Sequence, residues 1–208
     1  FTNTPFLQEN GFTEETILAL FIPNTYEFYW NTPANKIANK LAKEYNKFWN
    51  EDRLAKAKAK NLTPIQVYTL ASIVHKETAK VDERPDVAGV YLNRLRQDMP
   101  LQADPTIIYA IKLRSGDFDQ EIKRVFYNDL RIKSPYNTYI NKGLPPGPIA
   151  MPDVSAIDAV LNATNHDYIY FCANPDKPGY HAFASSYEAH QVNAKKYAEW
   201  VTKLGIDR

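Results

Sequence analysis

The segment Thr63-Pro64-Ile65-Gln66 constrains this chain more than any other, because it fixes where a helix begins and the phase of every side chain after it. Thr63 can accept from first-turn amides as N-cap, Pro64 occupies the first helical position where its missing donor costs nothing, and Gln66 completes a capping box. The pattern predicts a helix over residues 64–79. A second is expected from Arg84 or Pro85 to Gln97, with Val87, Val90, Tyr91 and Leu95 on one face, and a shorter third from Pro105 behind a possible Asp104 cap. These three should form a helical core. Upstream, Ile37, Leu41, Tyr45 and Phe48 recur three or four apart within residues 33–60, as one face of an amphipathic helix requires. Lys36, Lys40, Lys43 and Lys47 would form its solvated side. Before that, only residues 13–20 look helical.

Residues 133–152 turn to Pro, Gly, Asn and Tyr, including Gly143-Leu144-Pro145-Pro146-Gly147-Pro148, which cannot propagate a helix or a central strand. A helix over 154–163 should follow. Residues 168–173 then read as a strand by their β-branched and aromatic content, and a Pro/Gly turn over 174–179 leads to a partner strand over 180–184. Ser185 or Ser186 can cap a final helix with Tyr187, Val192, Tyr197 and Val201 as its core face. The fold class is α+β, mainly helical, with a small antiparallel hairpin near the C-terminus.

Composition removes several functions. With 208 residues, 44% hydrophobic and 24% charged, the chain is globular, and 25 basic against 24 acidic residues leave a net charge of +1. That balance speaks against a nucleic-acid binder, whose affinity rests on neutralising phosphates. A single cysteine, Cys172, removes internal disulfides and thiolate zinc sites. No apolar run reaches the roughly 20 residues of a membrane span. There is no GxSxG elbow, P-loop or GxGxxG.

Glu77 stands out by phase. It follows Val74 by three residues, Ile73 by four and Leu70 by seven, so its carboxyl emerges beside an apolar stripe at the helix's C-terminal end. Desolvation and the negative end of the helix dipole both disfavour the carboxylate, and a carboxyl kept protonated near neutrality is what general-acid cleavage of a glycosidic bond requires. A helix-end glutamate paired with Lys76, Lys80 or Arg84 would show the same pattern. His75 and Glu77 form an HxE pair, but a zinc deaminase needs a PCxxC that is absent. His75, His166, His181 and His190 include no i, i+4 pair, and Cys172 sits in an apolar strand as a structural thiol would. Tyrosines beside planar amides, as in Tyr136-Asn137-Thr138-Tyr139, suit stacking on sugars, and equally suit a core with one wet edge. Leu101-Gln102-Ala103-Asp104 sets an amide and a carboxylate before a helix, where Asp104 could be a groove residue or only an N-cap.

Ala71-Ser72-Ile73-Val74-His75-Lys76-Glu77-Thr78, Glu83-Arg84, Asn93-Arg94-Leu95, Leu101-Gln102-Ala103-Asp104-Pro105-Thr106, Tyr136-Asn137-Thr138-Tyr139 and Gly143-Leu144-Pro145-Pro146-Gly147-Pro148-Ile149 occur in one order. In that order they resemble the YceG-like endolytic murein transglycosylases, from about Ile22 to the C-terminus. The resemblance implies cleavage between N-acetylmuramic acid and N-acetylglucosamine within glycan strands, without water, leaving 1,6-anhydro ends. It assigns Glu77 as acid and base. Asn93, Gln102, Asp104, Tyr136, Asn137 and Thr138 would bind substrate, with Glu83, Arg84, Tyr139 and His181 in support, and no metal or cofactor. His75 departs from relatives that have Glu there, but its phase points with Tyr68, Ala71 and Ser72, so His75→Ala should retain much activity. Other readings are a muramidase using Glu77 with Asp104 and water, and a non-catalytic peptidoglycan-binding module. The implied partners are peptidoglycan strands and cell-wall synthesis enzymes. By the same resemblance, residues 1–60 are a helical lead-in joining a LysM-like and membrane region, and 61–208 the catalytic domain. The location would be the extracytoplasmic, periplasmic face of the cell membrane, anchored by an N-terminal transmembrane helix outside this chain.

Overall fold

A computed structural model describes residues 4–205. The helices are α1 (Thr4–Glu9), α2 (Ala34–Phe48), α3 (Glu51–Ala59), α4 (Pro64–Glu77), α5 (Arg84–Arg96), α6 (Asp104–Ser115), α7 (Val154–Leu161) and α8 (Tyr187–Lys203), with 3-10 turns at Ile17–Leu20 and Asp129–Arg131. Strands β1 (Tyr170–Ala173) and β2 (His181–Ala184) pair antiparallel, with Phe171 opposite Phe183. The α+β class expected from the sequence is the one observed.

The capping box forms as its residues dictate: Thr63 Oγ1 accepts from Gln66 N at 3.2 Å, and Gln66 Oε1 accepts from Thr63 N at 2.8 Å. The helix it starts is the centre of the molecule. Val67 through Val74 are all buried, because α7 covers one side of α4 and α5, α6 and α3 the others. Burying each large aliphatic there contributes about 1.5–3 kcal/mol. Ser72, polar inside this core, donates to Thr69 O and accepts from Ile149 N at 3.0 Å, which ties the Pro/Gly loop to α4. Gly147 makes that docking possible, since a Cβ there would lie 2.0 Å from Glu15 O. The hydrophobic cluster continues through Leu7, Phe12, Leu20, Leu41 and Trp49.

Several local expectations are corrected. The single helix over 33–60 is two, divided where Asn50 accepts from Arg53 N at 3.0 Å and starts α3. Helix α1 was not anticipated, and the helix expected over 13–20 contracts to the Ile17–Leu20 turn. Asp104 is no cap: Ala103 holds that position, with no side-chain cap bond, and Asp104 is in the first turn of α6. Ser186 does cap α8, accepting from Ala189 N. The core face of α8 is rotated from expectation, with Tyr187 and Val192 exposed and Val201 buried. The hairpin sets that face by stacking Tyr170 on His190, ring centroids 5.1 Å apart.

Candidate active site

Glu77 is the last residue of α4, where the chain turns extended at Thr78. Its carboxyl enters a cleft of about 200 Å³ whose walls come from α5 (Tyr91, Arg94), the approach to α6 (Leu101, Gln102), its first residue Asp104, Tyr139 and Phe171 of β1. Tyr91 Oη donates to Glu77 Oε1 at 2.5 Å. Although Glu77 is half-buried and one side opens to the cleft, protein surrounds the carboxyl closely elsewhere. Burial pushes its pKa from 4.5 to about 7; the Tyr91 hydrogen bond pulls down, the Asp104 charge pushes further up and Arg94 pulls down. A carboxyl balanced there holds a proton for donation near neutrality and can take one back.

The cleft walls are braced. Arg94, buried, donates through Nε to Ile169 O and through Nη1 to Leu101 O, both at 2.7 Å, so one guanidinium holds the strand entrance and the 100–102 segment together. Tyr139 Oη donates to Asp104 Oδ1 at 2.5 Å, and Tyr139 N donates to Asn137 Oδ1 at 2.8 Å. Gln102 has φ of 51°, a left-handed conformation unusual for a side-chain-bearing residue, maintained by its N–H donating to Thr138 O. That turn delivers the Gln102 amide to the cleft mouth.

Glu83 is buried and grips β2: Oε1 accepts from His181 N at 2.5 Å and Oε2 lies 2.8 Å from His181 Nδ1. The His181 ring meets Phe171 edge-on at 4.9 Å, and Phe171 meets Tyr91 edge-on at 5.9 Å. Thus the Glu83–His181 pair supports the Tyr91 wall from behind. Arg84 is elsewhere, donating to Ser155 Oγ at 2.6 Å and Asp153 Oδ2 at 3.2 Å, with Nη2 3.3 Å from His75 Nδ1. His75, its pKa lowered first by burial, belongs to this α4–α5–α7 junction and does not line the cleft.

Of the residues singled out from sequence, the cleft therefore gathers Glu77, Gln102, Asp104 and Tyr139. Asn93, Tyr136, Asn137 and Thr138 do not line this cleft, and their groups hold the scaffold. Asn93 Nδ2 donates to the carbonyls of His166 and Tyr168 at 2.9 and 2.8 Å. Tyr136 is buried with its ring 4.7 Å from Tyr109. Asn137 Nδ2 donates to Leu130 O and Ile132 O, and Thr138 Oγ1 accepts from Ala103 N. Sequence reasoning missed Tyr91 as a cleft residue, having placed it in the core face, and missed Arg94, Leu101 and Phe171. Tyr91 and Arg94 carried a signal, since three residues apart they share a helix face, and a buried carboxyl needs a donor. Among the described residues, no three of His, Cys, Asp and Glu come together as a metal ion would require.

This helical core, hairpin and carboxyl cleft define a family. The YceG-like family model matches residues 2–196, and the chain belongs to that family. It is 35% identical over 176 residues to an endolytic murein transglycosylase of Bacillus subtilis, covering 84% of this chain and 46% of that protein. It is 41% identical over 142 residues to an endolytic murein transglycosylase of Streptococcus pneumoniae, covering 67% of this chain and 25% of that protein. A crystal structure of a YceG-like protein from Listeria monocytogenes superposes with a TM-score of 0.70 at 30% identity, over 91% of this chain and 62% of that one. The chain thus spans less than half the length of these two curated relatives.

Proposed function

We propose that this chain is the catalytic portion of an endolytic peptidoglycan lytic transglycosylase, with Glu77 as both acid and base. The observation that carries the reading is a carboxyl held near pKa 7 in a walled cleft, with Tyr91 donating to it at 2.5 Å. Protonated Glu77 gives its proton to the oxygen bridging N-acetylmuramic acid and N-acetylglucosamine, the C1–O bond breaks, and positive charge develops at the muramic C1. The Glu77 carboxylate, stabilised by the Tyr91 hydroxyl, then accepts the proton of the muramic 6-hydroxyl as that oxygen bonds to C1. The anhydro ring closes, and Glu77 ends protonated as it began. One carboxyl suffices because the nucleophile is tethered to the substrate, unlike hydrolases that need a second carboxylate to direct water. Gln102 and the Tyr139–Asp104 pair sit where they can hydrogen-bond sugar hydroxyl and acetamido groups.

The names of the relatives support peptidoglycan as substrate and an extracytoplasmic role. Membrane attachment through a segment outside this chain, association with cell-wall synthesis enzymes, and the division into a lead-in to residue 60 and a catalytic domain from 61 are part of the same proposal. No helix among the described residues is long and apolar enough to cross a membrane.

The test is digestion of purified peptidoglycan by the chain and by Glu77→Gln, with soluble muropeptides read by mass spectrometry. Glu77-dependent fragments carrying anhydro ends, one water lighter than hydrolysis products, are expected. Reducing ends would assign the cleft to a hydrolase using Asp104 and water, and binding without release would assign it to a glycan-binding module.

A further inference from the structure

Behind α5 lies a second and larger cavity, about 780 Å³, separate from the Glu77 cleft. Tyr91 and Arg94 face the cleft, whereas Gly89, Leu92, Asn93 and Arg96 of the same helix face the cavity. The Gly143–Pro146 turn, Lys60 and Asn61 line it as well. Two properties define its chemistry. Its floor is aliphatic, with Leu62, Ile65 and Leu92, and its charged lining residues, Lys60 and Arg96, are both cations, with no carboxylate among the described lining residues. Neither cation has an ion-pair partner among the described residues.

Arg96 is held in place. One guanidinium nitrogen donates to Asn93 Oδ1, and Asn93 is itself fixed by donating to two carbonyls of the 166–168 segment. This gives Asn93 a different place from the groove role expected of it: it orients a cation at the second cavity. The Lys60 ammonium feels that cation, its pKa lowered first by burial and then by the Arg96 charge. Two unneutralised cations brought together over an apolar floor fit a ligand with anionic groups on an aliphatic or peptidic body.

We infer that this cavity is a subsite for the stem peptide of the glycan strand, with Lys60 and Arg96 taking its carboxylates and the aliphatic floor its alanyl methyl groups. The inference rests on the peptidoglycan reading of the Glu77 cleft. Reach supports it. Tyr139 lines the cleft and Gly143 the cavity, so four residues of chain connect the two and their Cα atoms lie within about 14 Å of each other. A stem peptide of four residues leaving the lactyl group of a muramic residue in the cleft spans the same distance when extended. The cavity then gives the enzyme a grip on peptide-bearing strands that stripped glycan lacks.

The experiment titrates N-acetylmuramoyl tetrapeptide into the 208-residue chain and follows backbone amides by NMR. Shifts centred on Asn61, Gly89 and Gly143 are expected, with affinity falling roughly tenfold for Lys60→Gln plus Arg96→Gln. Both substitutions lie at partly or fully exposed positions, and an unchanged spectrum away from the cavity verifies folding. In digests, the ratio of kcat/KM for peptide-bearing over amidase-stripped strands should fall in the same variant. No shift at millimolar peptide, or affinity indifferent to both substitutions, overturns the subsite. The binding arm needs no turnover, so it stands or falls apart from the transglycosylase reading, which fails if Glu77-dependent anhydro ends are absent.

Discussion

Replacing Glu77 by Gln should stabilise the protein at alkaline pH while removing its chemistry. The unfolded chain releases the Glu77 proton near pH 4.5, whereas the folded protein keeps it until about pH 7. Between those values the folded state binds the extra proton, so stability contributed by this group is complete below about 4.5, declines as pH rises, and is lost above about 7. At roughly 1.4 kcal/mol per pH unit the full loss is about 3 kcal/mol, and hydration on the open side of the cleft returns part of it. Gln has no proton to lose, keeps nearly the same shape and offers its amide oxygen to the Tyr91 hydroxyl. Urea unfolding of both proteins should therefore give equal stabilities at pH 4.5 and a Glu77→Gln advantage of about 1–3 kcal/mol at pH 8, or roughly 3–10 °C in Tm. Titrating groups that do not feel the Glu77 charge are common to both proteins and cancel in the difference, which leaves Glu77 and the neighbours coupled to it. A difference that does not change with pH, or a Gln variant that is weaker at pH 8, would refute the claim that burial raises this carboxyl.

Activity should fall as pH rises through about 7, because the first step of the proposed mechanism needs protonated Glu77. Tyr91→Phe removes a hydrogen bond that favours the carboxylate; the alkaline limb of the kcat/KM profile should move above 7 and the maximal rate drop about 10- to 100-fold. Asp104→Asn removes a charge that raises the Glu77 pKa, so the limb should move below 7; a limb that stays in place means the two carboxyls are not coupled. Gly89→Ala puts a Cβ 2.5 Å from His166 Nε2 and 2.8 Å from Thr164 O, and should destabilise by about 1–3 kcal/mol in thermal unfolding.

The parts of the fold legible in the sequence are those decided by local chemistry. Thr63, Pro64 and Gln66 specify a helix start with bonds that form within four residues, and the phase they set carries Glu77 into the cleft. The opposite case is α8, where period alone nominated Tyr187 and Val192 for the core. Which side of that helix is buried depends on where the hairpin docks, a tertiary fact with no local signature. The site divides the same way. Glu77, Gln102 and Asp104 were visible because each is a polar group beside a helix terminus, where backbone geometry aims it. Asn93, Asn137 and Thr138 do not line the cleft, a difference the sequence hides because amides and hydroxyls that hold loops look like those that hold sugars; only their partners, chiefly backbone groups, with the Arg96 guanidinium on Asn93 and the Thr106 hydroxyl on Thr138, separate the two. Tyr91 was hidden for the converse reason. Its ring belongs to the core pattern while its hydroxyl reaches the cleft, so one side chain both excludes water from Glu77 and stabilises the charge that exclusion disfavours. Those opposed effects, burial upward and hydrogen bond downward, are the two largest of the four that leave the carboxyl near 7, where a group can give and retrieve one proton at neutral pH.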